Sequence, residues 1–314
     1  MGKPPERTRI LEELGDGGIV PVRQEMVGTP PKPAIERLRA ELPDGRRVST
    51  LWFRMPHRRH KDLLLLPVSA GCELRARGEE RGWRTGCKFC TVGRGPFEGY
   101  LSPEQMLGFA RLALGNARLA ADYWERGGGN LVVFFSSAGE PLLHYKAVAA
   151  VIRKLKSLFG HKLFVSISTS GVAAGIKELL DDTLKIQLRL SLHFATDEDR
   201  KAFMPVQDDI ATLLDLGVKY AKRSGIPLMV KYVLIGGVND SDEHARRLAS
   251  VLQPYRDHIW VRVSRLNPYG GDLKAPSNKR RNCFRAILIR AGFRTVQVWK
   301  GFATLGCDEP HYAN

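Results

Sequence analysis

The sequence predicts an α/β fold, a parallel sheet flanked by helices and curving toward a partial (β/α)6 barrel. Three observations predict it. Apolar runs of strand length fall at 63–69, 130–136, 162–168, 184–191, 227–235, 258–264 and 294–299, and helical patterns fill the gaps at 102–122, 144–158, 173–181, 208–224, 241–253 and 277–291. Strands and helices alternating at this spacing form βα units, whose right-handed crossovers build a parallel sheet. Unusual polar residues follow the strand runs, where sheets of this kind bind ligands. At 314 residues the chain fills one large domain with a small appendage.

Ahead of this pattern the chain reads differently. A short amphipathic piece (Arg7 to Leu14) precedes Gly-rich turns, and Pro30-Pro31-Lys32-Pro33 reads as a linker. A helix is expected over 34–41, then a turn at Pro43-Asp44-Gly45 and an alternating strand from Arg46 to Arg54. Residues 1–41 are thus expected to form a short N-terminal extension and 42–314 the core, including a C-terminal segment that carries a cysteine. His57-Arg58-Arg59-His60-Lys61 is a basic loop, suited to solvent or to RNA. Farther on, Ser102-Pro103-Glu104 is a helix opening, an N-cap serine before a first-turn proline.

Composition narrows the class. Lys and Arg exceed Asp and Glu by 49 − 33 = 16, which suits a polyanionic partner such as nucleic acid or simply an Arg-rich proteome. Five cysteines without a paired framework fit a reducing interior, where thiols ligate metal or react. Met1 to Gly17 lacks a signal-peptide core, and no apolar run approaches the ~18 residues that span a bilayer. A cytoplasmic protein with no membrane partner is expected.

Three of the cysteines, Cys72, Cys87 and Cys90, lie in the loop that leaves the first apolar run of the core. Four thiolates normally hold a four-iron cluster, and three leave one iron open to a small molecule. A zinc site with a fourth ligand elsewhere is the alternative, and a bare CxxC with one distant cysteine favours it. Other motifs shift that balance. Ser137-Ala138-Gly139-Glu140-Pro141 follows the second run, where the glycine permits close backbone approach and a buried glutamate can accept hydrogen bonds from an ammonium group. Ser168-Thr169-Ser170-Gly171, Ser191-Leu192-His193, Gly236-Gly237-Val238-Asn239-Asp240 and Asn267-Pro268-Tyr269 end the next four runs. Each alone has a bland reading as a turn, cap or satisfied histidine, but together they resemble a cofactor site at one mouth of a barrel.

In this order, and over roughly residues 42–307, the motifs resemble those of radical S-adenosylmethionine (SAM) proteins of the RlmN/Cfr group, which C-methylate adenine in RNA. The resemblance implies a [4Fe-4S] cluster on Cys72, Cys87 and Cys90, with SAM contacted by Gly139, Glu140, Ser168, Ser191, Leu192, His193 and Asn267. It implies an RNA partner (rRNA or tRNA) and a reducing donor such as flavodoxin or ferredoxin. Cys307 stands where the group has a cysteine that is methylated by one SAM. A second SAM gives the 5′-deoxyadenosyl radical that abstracts hydrogen from that S-methyl, and the carbon radical adds to adenine. Cys283, in a helical pattern, is expected in the core.

The chain departs from the group at several places. Fourteen residues separate Cys72 from Cys87, where the signature usually has three, and Ala76 stands at the second cysteine's place; the insert is expected to bulge outward. Leu65 stands where the group has the cysteine that resolves the crosslink. Val48-Ser49-Thr50 stands where a glutamate is taken as proton acceptor, and the N-terminal stretch is short for the group's RNA-binding module. Other readings therefore remain: a radical enzyme acting on a small molecule or peptide, and a non-catalytic RNA-binding paralogue.

Overall fold

The computed structural model describes residues 4–28, 34–54, 62–267, 271–293 and 296–299. In chain order it begins with α1 (Pro4–Leu14), β1 (Val20–Gly28), β2 (Ala34–Glu41), β3 (Arg47–Arg54), β4 (Asp62–Leu66), β5 (Ser69–Ala70) and α2 (Leu74–Glu79). There follow β6 (Gly99–Tyr100), α3 (Pro103–Asn116), α4 (Arg118–Glu125), β7 (Leu131–Phe135), α5 (Tyr145–Phe159) and β8 (Leu163–Thr169). The rest is α6 (Ala173–Asp181), β9 (Gln187–Ser191), α7 (Asp197–Phe203), α8 (Ile210–Ser224), β10 (Leu228–Leu234), α9 (Asp242–Leu252), β11 (Ile259–Arg265), α10 (Asn278–Arg290) and β12 (Val296–Trp299). Two compact units result. One takes the chain up to Glu73 and Gly95–Ile167; the other takes Leu74–Arg94 and begins again at Ser168.

In the first unit, β1, β2, β3 and β4 pair antiparallel in sequence order, and β4, β7 and β8 continue in parallel. Trp52, Phe53, Leu64, Leu66, Val133 and Phe135 are buried in its core. The capping box at Ser102 opens α3 as the sequence predicts: Ser102 accepts from the Gln105 backbone N–H, and the Gln105 side chain accepts from the Ser102 N–H. In the second unit, β9, β10, β11 and β12 are parallel neighbours, joined by helices. In neither unit does a pairing among the described residues close the sheet on itself. The α/β class with a parallel sheet is the predicted one.

Several details differ from expectation. Residues 34–41 form β2 rather than a helix, and Val20–Gly28 of the expected N-terminal extension forms β1, while Pro30–Pro33 lies outside the described residues. Ala34–Glu41 has helix-forming composition, but β2 pairs with β3 from Ala34↔Arg54 to Glu41↔Arg47 and with β1 on its other side. Two ladders of backbone hydrogen bonds outweigh propensity differences of well under ~1 kcal/mol per residue. The helix expected over 102–122 breaks at Ala117, whose extended ψ of 131° separates α3 from α4. Helix α7, unforeseen in the sequence, opens on the Thr196 cap, whose hydroxyl accepts from Asp199 N–H at 3.1 Å. Finally, Cys283 is exposed. Helix α10 buries Arg281, Phe284 and Leu288, and Cys283 falls outside that stripe.

Candidate active site

The cluster loop starts in the first unit. Strand β5 pairs with β6 (Ser69↔Tyr100, Ala70↔Gly99) and leads into Gly71, at φ 77°. A Cβ there would lie 1.9 Å from the Pro96 carbonyl oxygen, so only glycine lets the chain turn into Cys72. Cys72 is buried, and beside it Glu73 is 6% exposed. One Glu73 carboxylate oxygen, Oε1, accepts from the Glu140 backbone N–H at 3.1 Å and from the Tyr100 hydroxyl at 3.4 Å. The other, Oε2, is buried with no hydrogen-bond partner among the described residues. Burial, and then the nearby Glu140 carboxylate, push the Glu73 carboxyl up to about 7.

Gly139 and Glu140 come together with this loop. Gly139 has φ 87°, and a Cβ on it would meet Ser69 Oγ at 2.2 Å and Val68 Cγ2 at 2.6 Å. Glu140, 2% exposed, caps the 3-10 turn Pro141–His144, its Oε1 accepting from Leu142 N–H at 3.1 Å. Two carboxyl groups buried this close raise the cost of ionising both, which a proton on Glu73 or a nearby cation offsets.

The second unit carries the rest of the loop. The insert is folded, with Glu79–Gly82 and Arg84 exposed: α2 is followed by a turn in which Trp83 N–H donates to the Gly78 carbonyl at 2.9 Å. Arg81 ties it down, its guanidinium donating to the carbonyls of Lys201 at 3.1 Å, Met204 at 3.4 Å and Val206 at 2.9 Å. The Lys88 ammonium sits 4.3 Å from the Trp83 ring centroid. Cys87 and Cys90 share one tight turn, with Cys90 N–H donating to the Cys87 carbonyl at 3.0 Å. Lys88 N–H donates to the Phe203 carbonyl at 2.9 Å, which anchors that turn to the end of α7.

Phe89, within the CxxC turn, meets His193 edge to face at 5.1 Å. His193 is the one non-glycine residue at positive φ (63°) among the described residues. Its Nδ1 accepts from Val233 N–H at 3.1 Å, so an N–H on this neutral ring lies at Nε2. Burial, then the Lys231 and Arg200 cations, hold the imidazole well below its usual range. The fully buried Asn239 fixes this bend: its amide donates to the carbonyls of His193 and Val233, both at 2.8 Å, and its Oδ1 accepts from Ile235 N–H at 2.7 Å. Asn239 thus explains the Gly236–Asp240 motif as a brace for His193.

Ser168, Ser191 and Asn267 are half-buried at or just past the ends of β8, β9 and β11, and Leu192 is buried. After β8, Gly171 (φ 101°) leaves room for Leu213 and for Arg200, whose guanidinium donates to the Ser170 carbonyl. Cys307 lies outside the described residues, as do Arg58, Arg59, Pro268 and Tyr269. Sequence reasoning missed Glu73, Arg200 and the bracing role of Asn239. Glu73 is next to Cys72, but nothing in its sequence context distinguishes it from the charges of the insert.

None of Cys72, Cys87 and Cys90 is in a disulfide. Cys72 belongs to the first unit and the CxxC turn to the second, and no three His, Cys, Asp or Glu side chains among the described residues are gathered into a metal-binding group. The donor chemistry fits an iron–sulfur cluster and a cationic ligand: three thiols in one loop, and an orphaned buried carboxylate oxygen beside the first of them.

Comparison with known proteins decides the family. The sequence profile of the radical SAM superfamily matches residues 81–249. The chain belongs to the radical SAM superfamily. It is 30% identical over 279 residues to a ribosomal RNA large subunit methyltransferase N of Nitrosopumilus maritimus, covering 84% of this chain and 73% of that one. It is 29% identical over 275 residues to a probable dual-specificity RNA methyltransferase RlmN of Corynebacterium diphtheriae, covering 83% and 68%. Among solved structures, a radical SAM methyltransferase from Sphaerobacter thermophilus superposes with a TM-score of 0.75 at 26% identity, over 92% of this chain and 80% of that one. The protein is a radical SAM enzyme of the RlmN-related methyltransferases, a family that uses a [4Fe-4S] cluster and SAM. No helix among the described residues is long and apolar enough to cross a membrane.

Proposed function

We propose that this radical SAM enzyme C-methylates an adenine base in RNA, in the cytoplasm, with electrons from a flavodoxin- or ferredoxin-type donor. The observation that carries the reading is the similarity over most of the chain to relatives named as RNA methyltransferases, beside strand-end motifs that resemble that group's. The excess of 16 positive charges supports a polyanionic substrate.

In this reading Cys72, Cys87 and Cys90 hold the cluster as thiolates, and Cys283, exposed on α10, takes no part. When bound, the cluster supplies the electron that cleaves SAM to a 5′-deoxyadenosyl radical. Gly139 leaves space against Ser69, and Glu73 and Glu140 accept hydrogen bonds from the SAM ammonium, which offsets the burial of two carboxylates. His193, neutral and braced by Asn239, offers its Nε2 N–H. Ser168, Ser191 and Asn267 supply further polar contacts, and the Leu192 side chain packs the wall. Cys307 accepts the methyl group that is later transferred.

Release of the product differs from the family's pattern. Ser49 on β3 and Leu65 on β4 lie on one face of the antiparallel pair, in register through Leu51↔Leu65. A serine hydroxyl is a poor base near neutral pH, and leucine cannot attack a crosslink. The adduct on Cys307 therefore needs an external thiol or another quench. The test is peptide mass spectrometry of enzyme incubated with SAM and RNA. S-methylation at Cys307, and loss of base methylation but not of 5′-deoxyadenosine formation in Cys307→Ala, are expected. Multiple-turnover methylation by Cys307→Ala would overturn the mechanism.

A further inference from the structure

One exposed cation of the second unit stands over two aromatic rings. The Lys88 ammonium lies 4.3 Å from the Trp83 ring centroid and 5.6 Å from that of Phe203. Trp83 and Phe203 are half-buried and Lys88 is exposed, so the space that the two rings share is at the surface. Both rings are fixed in place. Trp83 N–H donates to the Gly78 carbonyl at 2.9 Å. Arg81, 5.7 Å from the same ring, ties that turn to the carbonyls of Lys201, Met204 and Val206, on either side of Phe203 in the chain. Phe203 closes α7 and accepts at its carbonyl from Lys88 N–H at 2.9 Å. Its ring stacks on the buried Phe194, with centroids 4.9 Å apart and planes at 28°. Rings held before a ligand arrives lose little freedom when one binds.

Lys88 is the movable part. Its ammonium is a hydrated point charge on a flexible four-carbon stem. An exposed aromatic face holds such a charge weakly, and a phosphate oxygen is a stronger partner. Once the ammonium swings away, the space over the two rings fits a flat group with a π-face. Every nucleobase has one, and single-stranded RNA is gripped by aromatic side chains for its bases and cations for its backbone. The charge around the slot has the matching sign. Arg84 is exposed and makes no ion pair among the described residues. Of the two carboxylates in 74–86, Glu79 is paired with Arg75 at 2.8 Å, which leaves Glu80 against Arg77, Arg81, Arg84 and Lys88.

We propose that Trp83 and Phe203 form an aromatic slot for an unpaired base of the substrate RNA. Lys88 is its removable plug, and Arg84 and the displaced Lys88 hold the phosphates beside that base. The inference rests on the RNA reading above and adds to it where the strand is gripped, with Lys88 next to Cys87 in the chain.

The test is fluorescence anisotropy with the anaerobically reconstituted holoenzyme, compared at equal iron content over a salt titration. The probe is a labelled adenine-containing oligoribonucleotide, as single strand and as duplex. Wild type is expected to bind the single strand at least about tenfold more tightly than the duplex, whose bases are not free to stack. Trp83→Leu keeps an apolar side chain without the aromatic face, and should weaken the single strand about tenfold with the salt slope unchanged. Trp83→Phe should stay within about threefold of wild type. Arg84→Gln and Lys88→Gln should each lower the log–log salt slope by about 0.7. All four variants should keep the wild-type melting temperature and bind SAM within about twofold. Equal affinity of wild type for strand and duplex would overturn the slot. Trp83→Leu that binds RNA as well as wild type does would overturn it and leave the RNA reading standing. A loss in Trp83→Leu shared by SAM affinity and melting temperature would also overturn it, because the ring would then serve only the fold. Absence of RNA affinity in wild type at low salt would sink both readings. RNA gripped through Trp83 by an enzyme that methylates no adenine would uphold the slot and sink the methylation reading.

Discussion

The two units carry opposite kinds of buried charge. The first sets Glu73 and Glu140 side by side next to Cys72, with one carboxylate oxygen orphaned. The second sets Arg189, Lys231 and Arg262 on one face of three strands, within electrostatic reach of Cys90. Like charges set together raise one another's cost of burial, and the two units do this with opposite signs. In the first unit the orphaned oxygen of Glu73 suits a cation, which SAM is at both its sulfonium and its amine.

The largest effects should come from the thiols. Cys72→Ala, Cys87→Ala and Cys90→Ala should each lose the brown chromophore, the bound iron and SAM cleavage, while Cys283→Ala keeps all three. Tight zinc with no uptake of iron on reconstitution would break the comparison at its root, because no iron–sulfur cluster would then be there to cleave SAM. Next come the carboxylates. Glu73→Gln and Glu140→Gln should keep iron but weaken SAM about tenfold, or ~1.4 kcal/mol, each by dialysis with labelled SAM. Unchanged affinity in both variants would leave the acidic pair without a ligand.

The sequence shows one side of this comparison more readily than the other. Cys87, Cys90, Gly139 and Glu140 sit in short contiguous motifs, so their chemistry is legible along the chain. Arg189, Lys231 and Arg262 are scattered over 74 positions and become a cluster only through strand register, which no local pattern encodes. The strand runs were legible because strands such as β7 and β10 are buried along nearly their whole length, and parallel strands covered on both faces are nearly continuous in apolar residues. Residues 34–41 were not, because two neighbouring strands override helical composition. Cys283 was misplaced because a pattern of period 3.6 finds a helix more reliably than its buried side.

Smaller effects sharpen the account of each unit. Arg81→Ala removes three charge-assisted hydrogen bonds to carbonyls and should lower stability by about 2 kcal/mol in denaturant titrations, with faster amide exchange over 74–86. Exchange unchanged over that span would mean the insert is held by something else. The smallest effect concerns pH. Burial raises the Asp62 carboxyl above its ordinary 3.8, and the Arg126 and Arg54 cations only partly reverse this. A raised pKa means the folded state binds the extra proton, so the stability Asp62 contributes falls as pH rises from the ordinary value through the folded one. Asp62→Asn should match wild type near pH 4 and gain on it by pH 7, read as melting temperature; a gap that closes with rising pH would reverse the sign.

The most direct test of the central claim is a single anaerobic incubation of the reconstituted enzyme with SAM, a reductant and RNA. The account predicts 5′-deoxyadenosine and S-adenosylhomocysteine together, with C-methylated adenine in the RNA digest. Iron-replete enzyme that binds SAM and forms neither product would contradict it.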